Sequence, residues 1–136
     1  MFRGPATVNV YAADMPAAIA WYTELFGAQP YFRRPVEGPP AYAEWRVGDL
    51  ETEVGVVDAA YAPYPVGAPG GGVLHWAVDD VHAAFERLLA LGATPLAGPT
   101  VRGEGFVTAS VTDPFGNVLG VMENAHYDEV LATRVR

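Results

Sequence analysis

The amino-acid sequence predicts an α+β fold: two tandem βαβββ modules that form a curved mixed sheet around a groove. A strand–helix–strand–strand–strand pattern occurs twice in the 136 residues, and the helix-capping Asp14 recurs as Asp80, 66 positions later. After a one-residue deletion, Gly55-Val56 recurs as Gly120-Val121 at a shift of 65. The stretch Asp113–Asn117 joins Asp-Pro to Gly-Asn, which predicts a tight turn leading into a buried strand.

The first module is predicted at residues 1–58. A strand at Thr7–Ala12 precedes a helix that begins after Asp14 and ends at Gly27. Pro16 lies in the first turn of this helix, where no backbone N–H is needed. Glycine- and proline-containing turns then separate three predicted strands: Gln29–Arg34, Ala41–Val47 and Glu51–Val57.

A linker is predicted at residues 59–72, because prolines and glycines dominate this stretch. The second module follows at residues 73–124, with Asp80 capping its helix and Gly92 ending it. Its predicted strands lie at Val73–Val78, Thr94–Leu96, Phe106–Thr112 and Val118–Met122. The tail at residues 125–136 is predicted to be a short helix or an arm.

The composition excludes several classes of partner. Sixteen acidic residues against eight basic ones give a formal charge of −8. No basic run is present, so nucleic acid and anionic membrane surfaces are poor partners. No apolar run approaches the ~20 residues that span a bilayer. The absence of cysteine removes disulfides and thiolate chemistry, and we expect a cytoplasmic protein.

Five segments carry a resemblance to a known family: Val10–Tyr22, Leu25–Gly27, Val78–Val81, Leu91–Ala93 and Asp113–Asn117. In this order they resemble the vicinal oxygen chelate superfamily, the glyoxalase/bleomycin-resistance/dioxygenase group. The resemblance implies paired βαβββ modules and often a homodimer. Members include lyases, isomerases, dioxygenases and proteins that only sequester an antibiotic, so the resemblance does not fix the function.

Metal-dependent members of that family hold one divalent ion at four strand positions. The resemblance places these positions at Thr7, Gly55, Val73 and Gly120. None of these residues supplies the imidazole or carboxylate that a divalent ion needs. We therefore expect no metal cofactor, and the alternative is a shifted site for Ni, Mn, Zn or Fe.

Four chemically able side chains lie two residues from those positions, on the same strand faces: Asn9, Glu53, His75 and Met122. His75 and Glu53 are the candidate catalytic residues, as an acid–base pair or as part of a shifted metal site. His75 is displaced forward along its strand and Glu53 backward, by about 6–7 Å each, which separates them if first and last strands run parallel. The alternatives are a buried histidine and a Glu53–Arg46 ion pair.

The groove is expected to bind a small, mostly apolar or aromatic molecule. The candidate ligand-binding residues are Asn9, Tyr11, Trp45, Trp76, Phe106 and Met122. In the strand over 41–47, one face carries Tyr42, Glu44 and Arg46 and the other carries Ala43, Trp45 and Val47. The sequence leaves open which of these faces lines the groove. The alternative function is a glyoxalase-type lyase, isomerase or dioxygenase.

Overall fold

The computed structural model describes residues 1, 3–69 and 72–134, and within them it contains two four-stranded mixed sheets and three α-helices. The chain divides into two compact units. The first comprises Met1–Ala68 and Phe115–Asn117, and the second comprises Pro69–Pro114 and Val118–Arg136. Residues 70 and 71 of the predicted linker and residues 135 and 136 of the predicted tail lie outside the described residues.

The elements of the first unit follow the predicted order: β1 (Thr7–Ala12), α1 (Met15–Phe26), β2 (Phe32–Arg34), β3 (Tyr42–Val47) and β4 (Thr52–Asp58). The sheet order is β1-β4-β3-β2, with β1 parallel to β4 and the other pairs antiparallel. Asp14 caps α1 by accepting a hydrogen bond from the Ala17 N–H at 3.0 Å. Gly27 ends the helix in the left-handed region, at φ 72°.

One face of the first sheet packs against α1 and forms the core of this unit. Trp45 is 2% exposed and lies against the rings of Tyr22 and Phe26. Val54 and Val56 oppose Trp45 and Ala43 in the β3–β4 register, so they point to the same face and are buried with them. Because side chains alternate along a strand, the other face carries the polar residues of β3 and β4.

The elements of the second unit are β5 (His75–Ala77), α2 (Val81–Ala90), β6 (Thr94–Gly103), β7 (Phe106–Thr112), β8 (Val118–Asn124) and α3 (Ala125–Arg134). Their sheet order is β5-β8-β7-β6, and β5 runs parallel to β8. Val81, Phe85 and Leu88 are the buried residues of α2. The buried side chains of β7 and β8 lie on one face of the sheet: Ala109, Val111, Leu119 and Val121.

Several strand boundaries differ from the sequence-based expectation. The strand predicted at Thr94–Leu96 extends to Gly103, because register shifts accommodate its prolines and glycines while β6 pairs with β7 alone. The strand predicted at Val73–Val78 is confined to His75–Ala77, and the one predicted at Gln29–Arg34 to Phe32–Arg34. The tail forms α3, whose first turn is capped by Asn124 accepting from the Tyr127 N–H at 3.0 Å.

Asn117 joins the edge of the first sheet through two hydrogen bonds to the backbone of Tyr11. Its Oδ1 accepts from the Tyr11 N–H at 3.0 Å, and its Nδ2 donates to the Tyr11 carbonyl at 2.9 Å. The side-chain amide therefore pairs with β1 as a neighbouring strand residue would. Phe115, in the same segment, meets the Trp21 ring edge-to-face at a centroid distance of 6.3 Å.

Replacing Asn117 should destabilise the first unit. Asn117→Ala leaves two part-buried backbone groups of Tyr11 without these partners, and we expect a loss of about 2 kcal/mol of unfolding free energy. Asn117→Asp keeps the acceptor but cannot donate to the Tyr11 carbonyl, so its effect should be intermediate. Urea unfolding of the three proteins measures this, and an Asn117→Ala variant as stable as wild type would contradict the assignment.

Candidate functional site

The face of the first sheet that points away from α1 brings together polar and aromatic side chains from all four strands. We call it the open face, and it is defined by the strand positions that alternate with the buried ones: Thr7, Asn9, Tyr11, Phe32, Arg34, Tyr42, Glu44, Arg46, Glu53, Gly55 and Val57. Asn9 is exposed, and Tyr11, Tyr42, Glu44 and Glu53 are partly exposed. The open face is therefore accessible from solvent.

Gly55 lies at the centre of the open face, beside Asn9 in the β1–β4 register and Glu44 in the β3–β4 register. A Cβ atom built on Gly55 would lie 2.5 Å from Asn9 Oδ1 and 2.7 Å from the Tyr42 hydroxyl oxygen. The space where a side chain at position 55 would begin is thus taken by an amide and a phenol from neighbouring strands. Position 55 is one of the four that the resemblance assigns to a metal ligand.

Glu44 is the hydrogen-bonding centre of the open face. Its two carboxylate oxygens accept from the hydroxyls of Tyr31 and Tyr42, one each. Between β1 and β4, the Thr7 hydroxyl donates to Glu53 Oε1 at 3.1 Å. Three hydroxyl protons are therefore directed at two carboxylates.

The electrostatics of the open face favour the neutral forms of Glu44 and Tyr42. Burial raises the pKa of Glu44 above its ordinary value, the nearby Glu53 carboxylate raises it further, and the Arg46 guanidinium opposes both. Burial and the Glu53 charge also raise the pKa of the Tyr42 phenol. The negative charge of Glu44 is thus only partly compensated by its surroundings.

The raised pKa of Glu44 has a consequence for stability. An acid whose pKa is higher in the folded than in the unfolded state stabilises the fold when protonated, and this contribution is lost as pH rises through the folded-state pKa. The stability of wild type relative to Glu44→Gln should therefore fall as pH rises above the ordinary glutamate pKa of 4.5. Urea unfolding at a series of pH values tests this, with Glu86→Gln, at an exposed position of α2, as the control. A difference that rises with pH would contradict the assignment.

The second sheet repeats the arrangement with different residues. His75 lies beside Gly120 in the β5–β8 register, and a Cβ on Gly120 would lie 2.7–2.9 Å from the His75 ring. Met122 and Phe106 lie on the same face of the sheet as His75 and Gly120, and His75 is exposed. Thus an imidazole covers Gly120 in one sheet, and an amide with a phenol covers Gly55 in the other.

The structure places the sequence-predicted residues in three environments. Asn9, Tyr11 and Glu53 lie on the open face of the first sheet, whereas His75, Phe106 and Met122 share one face of the second. Trp45 was a candidate ligand-binding residue, but its side chain is buried against α1. Its Nε1 donates to the Ala28 carbonyl at 2.8 Å. It serves the core of the first unit, so we remove it from the candidate site.

Trp76 also points away from the face that carries His75. It is the β5 neighbour of the buried Val121 and alternates with His75 along the strand. Tyr42 and Glu44 of the open face, and Tyr31, which donates a hydrogen bond to Glu44, were not among the sequence-predicted site residues. The alternation along residues 41–47 was the available signal for Tyr42 and Glu44, and no pattern connected Tyr31, outside the regular strands, to them.

The donor atoms present do not fit a family-type metal site. Gly55 and Gly120 carry no side chain, Thr7 offers a hydroxyl that donates to Glu53, and Val73 is apolar. Over residues 1, 3–69 and 72–134, His, Asp and Glu side chains form no group of three or more that could hold a metal ion. The same part of the chain has no helix of the length and apolar character that crossing a membrane requires.

Comparisons with known proteins agree with this architecture. Residues 4–121 match the sequence model of the family described as "Glyoxalase/Bleomycin resistance protein/Dioxygenase superfamily". "Putative glyoxylase CFP32" from Mycobacterium bovis and from Mycobacterium tuberculosis are each 33% identical over 132 residues, which cover 93% of this chain. The chain spans 48% of the length of these relatives.

Two solved structures show the same fold. Protein ATC0852 from Agrobacterium tumefaciens is 25% identical, with a TM-score of 0.71 over 91% of this chain and 99% of its own. A structure described as a glyoxalase-related enzyme from Fulvimarina pelagi is 22% identical, with a TM-score of 0.69 over 89% of this chain and 88% of its own.

Proposed function

Because the chain belongs to the glyoxalase/bleomycin resistance protein/dioxygenase superfamily, we propose that it binds a small, mostly apolar or aromatic molecule and does so without a catalytic metal. This proposal rests on the two glycines that stand where the family has metal ligands: Asn9 and Tyr42 cover Gly55, and His75 covers Gly120. Neither glycine can donate an atom to an ion from its side chain. We propose that the ligand contacts the open face of the first sheet.

Aromatic side chains on the open face support an aromatic ligand. The Phe32 and Tyr42 rings meet edge-to-face at a centroid distance of 6.1 Å, and Tyr11 meets Tyr64 in the same way at 5.6 Å. Partly exposed tyrosine rings offer apolar area together with a polar tip, so they suit a ligand that is itself aromatic. Asn9 adds an exposed amide that can orient a polar group of the ligand.

A ligand screen on chelator-treated protein tests metal-independent binding. We expect aromatic compounds from a small-molecule library to raise the melting temperature, since a ligand that binds the folded state stabilises it. Tyr11→Ala should weaken the binding of such a compound by about tenfold, because it removes a ring from the open face. Tyr61→Ala, which removes a 71% exposed tyrosine elsewhere in the unit, is the matched control. A library without any stabilising compound would contradict the proposal.

A glyoxalase-type lyase or isomerase, or a dioxygenase, is the alternative proposal, and the name of the 33% identical relatives favours the first of these. It would use a divalent metal, or His75 and Glu53 as acid and base. The test is turnover of the hemithioacetal of methylglyoxal and glutathione, with and without Ni²⁺ or Zn²⁺. If the protein only binds its ligand, no turnover is expected under either condition. Turnover that is lost in both His75→Ala and Glu53→Gln would establish the alternative.

We also propose that the chain forms a homodimer in the cytoplasm. The family resemblance supports the dimer, and the absence of cysteine suits a reducing compartment. Analytical ultracentrifugation tests the first part, since a monomer at micromolar concentration would contradict it.

A further inference from the structure

We propose that Tyr64 occupies one end of the open face in the ligand-free protein and must leave it before an aromatic ligand binds there, an inference that rests on the proposed function. Tyr64 belongs to the segment of residues 59–68, which we call the strap. The contact between the strap and the open face is autoinhibitory, because a side chain of the protein itself competes with the ligand.

The strap is fixed to the first unit at both ends. At its start, the Asp58 N–H donates to the Ala41 carbonyl at 2.9 Å, and the Asp58 side chain accepts from the Ala60 N–H at 2.9 Å. Near its end, Gly67 lies so close to Gly116 that a Cβ on Gly116 would be 2.6–2.8 Å from Gly67 backbone atoms. The two attachments hold the middle of the strap beside the first sheet.

Between these attachments the Tyr64 ring packs on Tyr11. The two rings meet edge-to-face, with their centroids 5.6 Å apart. Tyr11 pairs with Val57 in the β1–β4 register, and the strap begins two residues after Val57. Tyr11 therefore lies at the end of the open face that is nearest to the strap, and Tyr64 contacts it as the ring of an aromatic ligand would.

A ligand ring and the Tyr64 ring cannot use the same side of Tyr11 together. A ring inserted between two others requires about 7 Å between the outer centroids, since carbon atoms in contact lie about 3.5 Å apart. The Tyr11 and Tyr64 centroids are 5.6 Å apart, so a third ring does not fit between them. Binding on that side of Tyr11 requires Tyr64 to move away.

The strap presents the Tyr64 ring at low entropic cost and releases it without unfolding of the unit. Pro63 and Pro65 fix their own φ angles and restrict the residues before them, one of which is Tyr64. Both prolines are exposed, and Tyr64 is 57% exposed although it contacts Tyr11. Because the contact buries little of the strap, it can open while the rest of the first unit stays folded.

Oxidation of Tyr11 by hydroxyl radicals tests the contact without any ligand. Mass spectrometry follows oxidation of the Tyr11 peptide in wild type, Tyr64→Ala, Tyr64→Phe and Tyr61→Ala. We expect Tyr11 to be oxidised at least about twofold faster in Tyr64→Ala, because its ring is uncovered. The rate should be that of wild type in Tyr64→Phe, which keeps the ring, and in Tyr61→Ala, which removes a 71% exposed ring from the same strap.

Titration with 2-naphthol, followed through the backbone amide signals in NMR, tests the competition. An aromatic pair shifts an equilibrium by a factor of about two to about ten, and a ligand that must break the pair loses this factor in affinity. We therefore expect Tyr64→Ala to bind 2-naphthol about two- to tenfold more tightly than wild type, with the Tyr11 amide among the signals that shift. Tyr64→Phe and Tyr61→Ala should bind as wild type does. Circular dichroism verifies that the variants are folded.

Three results would overturn the inference: equal oxidation of Tyr11 in wild type and Tyr64→Ala, no gain in 2-naphthol binding in Tyr64→Ala, or the same gain in Tyr61→Ala. Failure of the proposed function gives a different result, because then no library compound stabilises either wild type or Tyr64→Ala. The oxidation of Tyr11 reports on the contact in either case.

Discussion

Gly116→Ala is expected to lower the free energy of unfolding by about 3 kcal/mol, one of the two largest effects that we expect from a single substitution. Gly116 has φ +95°, a conformation that side-chain-bearing residues rarely adopt, and a Cβ would lie 2.6–2.8 Å from backbone atoms of Gly67. Backbone cannot rotate away as a flexible side chain can. The clash and the unfavourable φ therefore add, and chemical denaturation measures their sum.

Two other glycines separate these contributions. Gly92 has φ +98° but open space around its Cβ position, so Gly92→Ala should cost only the conformational part, about 1 kcal/mol. Gly98 has neither a left-handed φ nor a neighbour within 4 Å, and Gly98→Ala should change stability by less than about 0.5 kcal/mol. If all three variants lost equal stability, the close approach of Gly116 to Gly67 would not be what the fold requires.

Trp45→Ala is expected to destabilise the protein by about 4 kcal/mol. Trp45 is 2% exposed, packs against Tyr22 and Phe26, and donates a hydrogen bond to the Ala28 carbonyl. Its removal leaves a large cavity under α1 and an acceptor that loses its partner. Thermal or urea unfolding gives the magnitude, and Tyr61→Ala, at a 71% exposed residue, should cost less than about 0.5 kcal/mol.

A second measurement distinguishes a core residue from a ligand-contacting one. Trp45→Phe keeps an aromatic ring in the core, so it should lower stability less than Trp45→Ala and leave the affinity for an aromatic compound unchanged. A Trp45→Phe variant of wild-type stability and weakened affinity would return Trp45 to the binding site.

The helices and most strands followed from local sequence signals. Asp14 and Asp80 each accept a hydrogen bond from the N–H three residues later, which is the contact that an N-cap is selected for. Strand β6 was underestimated, because Pro95, Gly98 and Pro99 look like breakers when only the sequence is considered. An edge strand tolerates them, since its outer N–H groups have no ladder partner to lose.

The site was harder to predict than the fold, because it depends on which face of a strand is buried. Alternation showed that Glu44 and Trp45 point in opposite directions, but only the packing of α1 on Trp45 decides which side is core. Of the two glutamates on this face, only Glu53 was a candidate from the sequence. Tyr42 lies two residues from Glu44 on the same strand face, but Tyr31, outside the regular strands, donates to the same carboxylate, and sequence spacing gives no information on that second contact.

The central claim is that side chains from neighbouring strands cover Gly55 and Gly120, at the positions of the family's metal ligands, and leave no site for an ion. Metal content is its most direct test. Untreated purified protein is analysed for Ni, Mn, Zn and Fe by inductively coupled plasma mass spectrometry, and its melting temperature is measured before and after chelation. We expect far less than one ion per chain and an unchanged melting temperature. One divalent ion per chain, whose removal lowers the melting temperature, would contradict the claim.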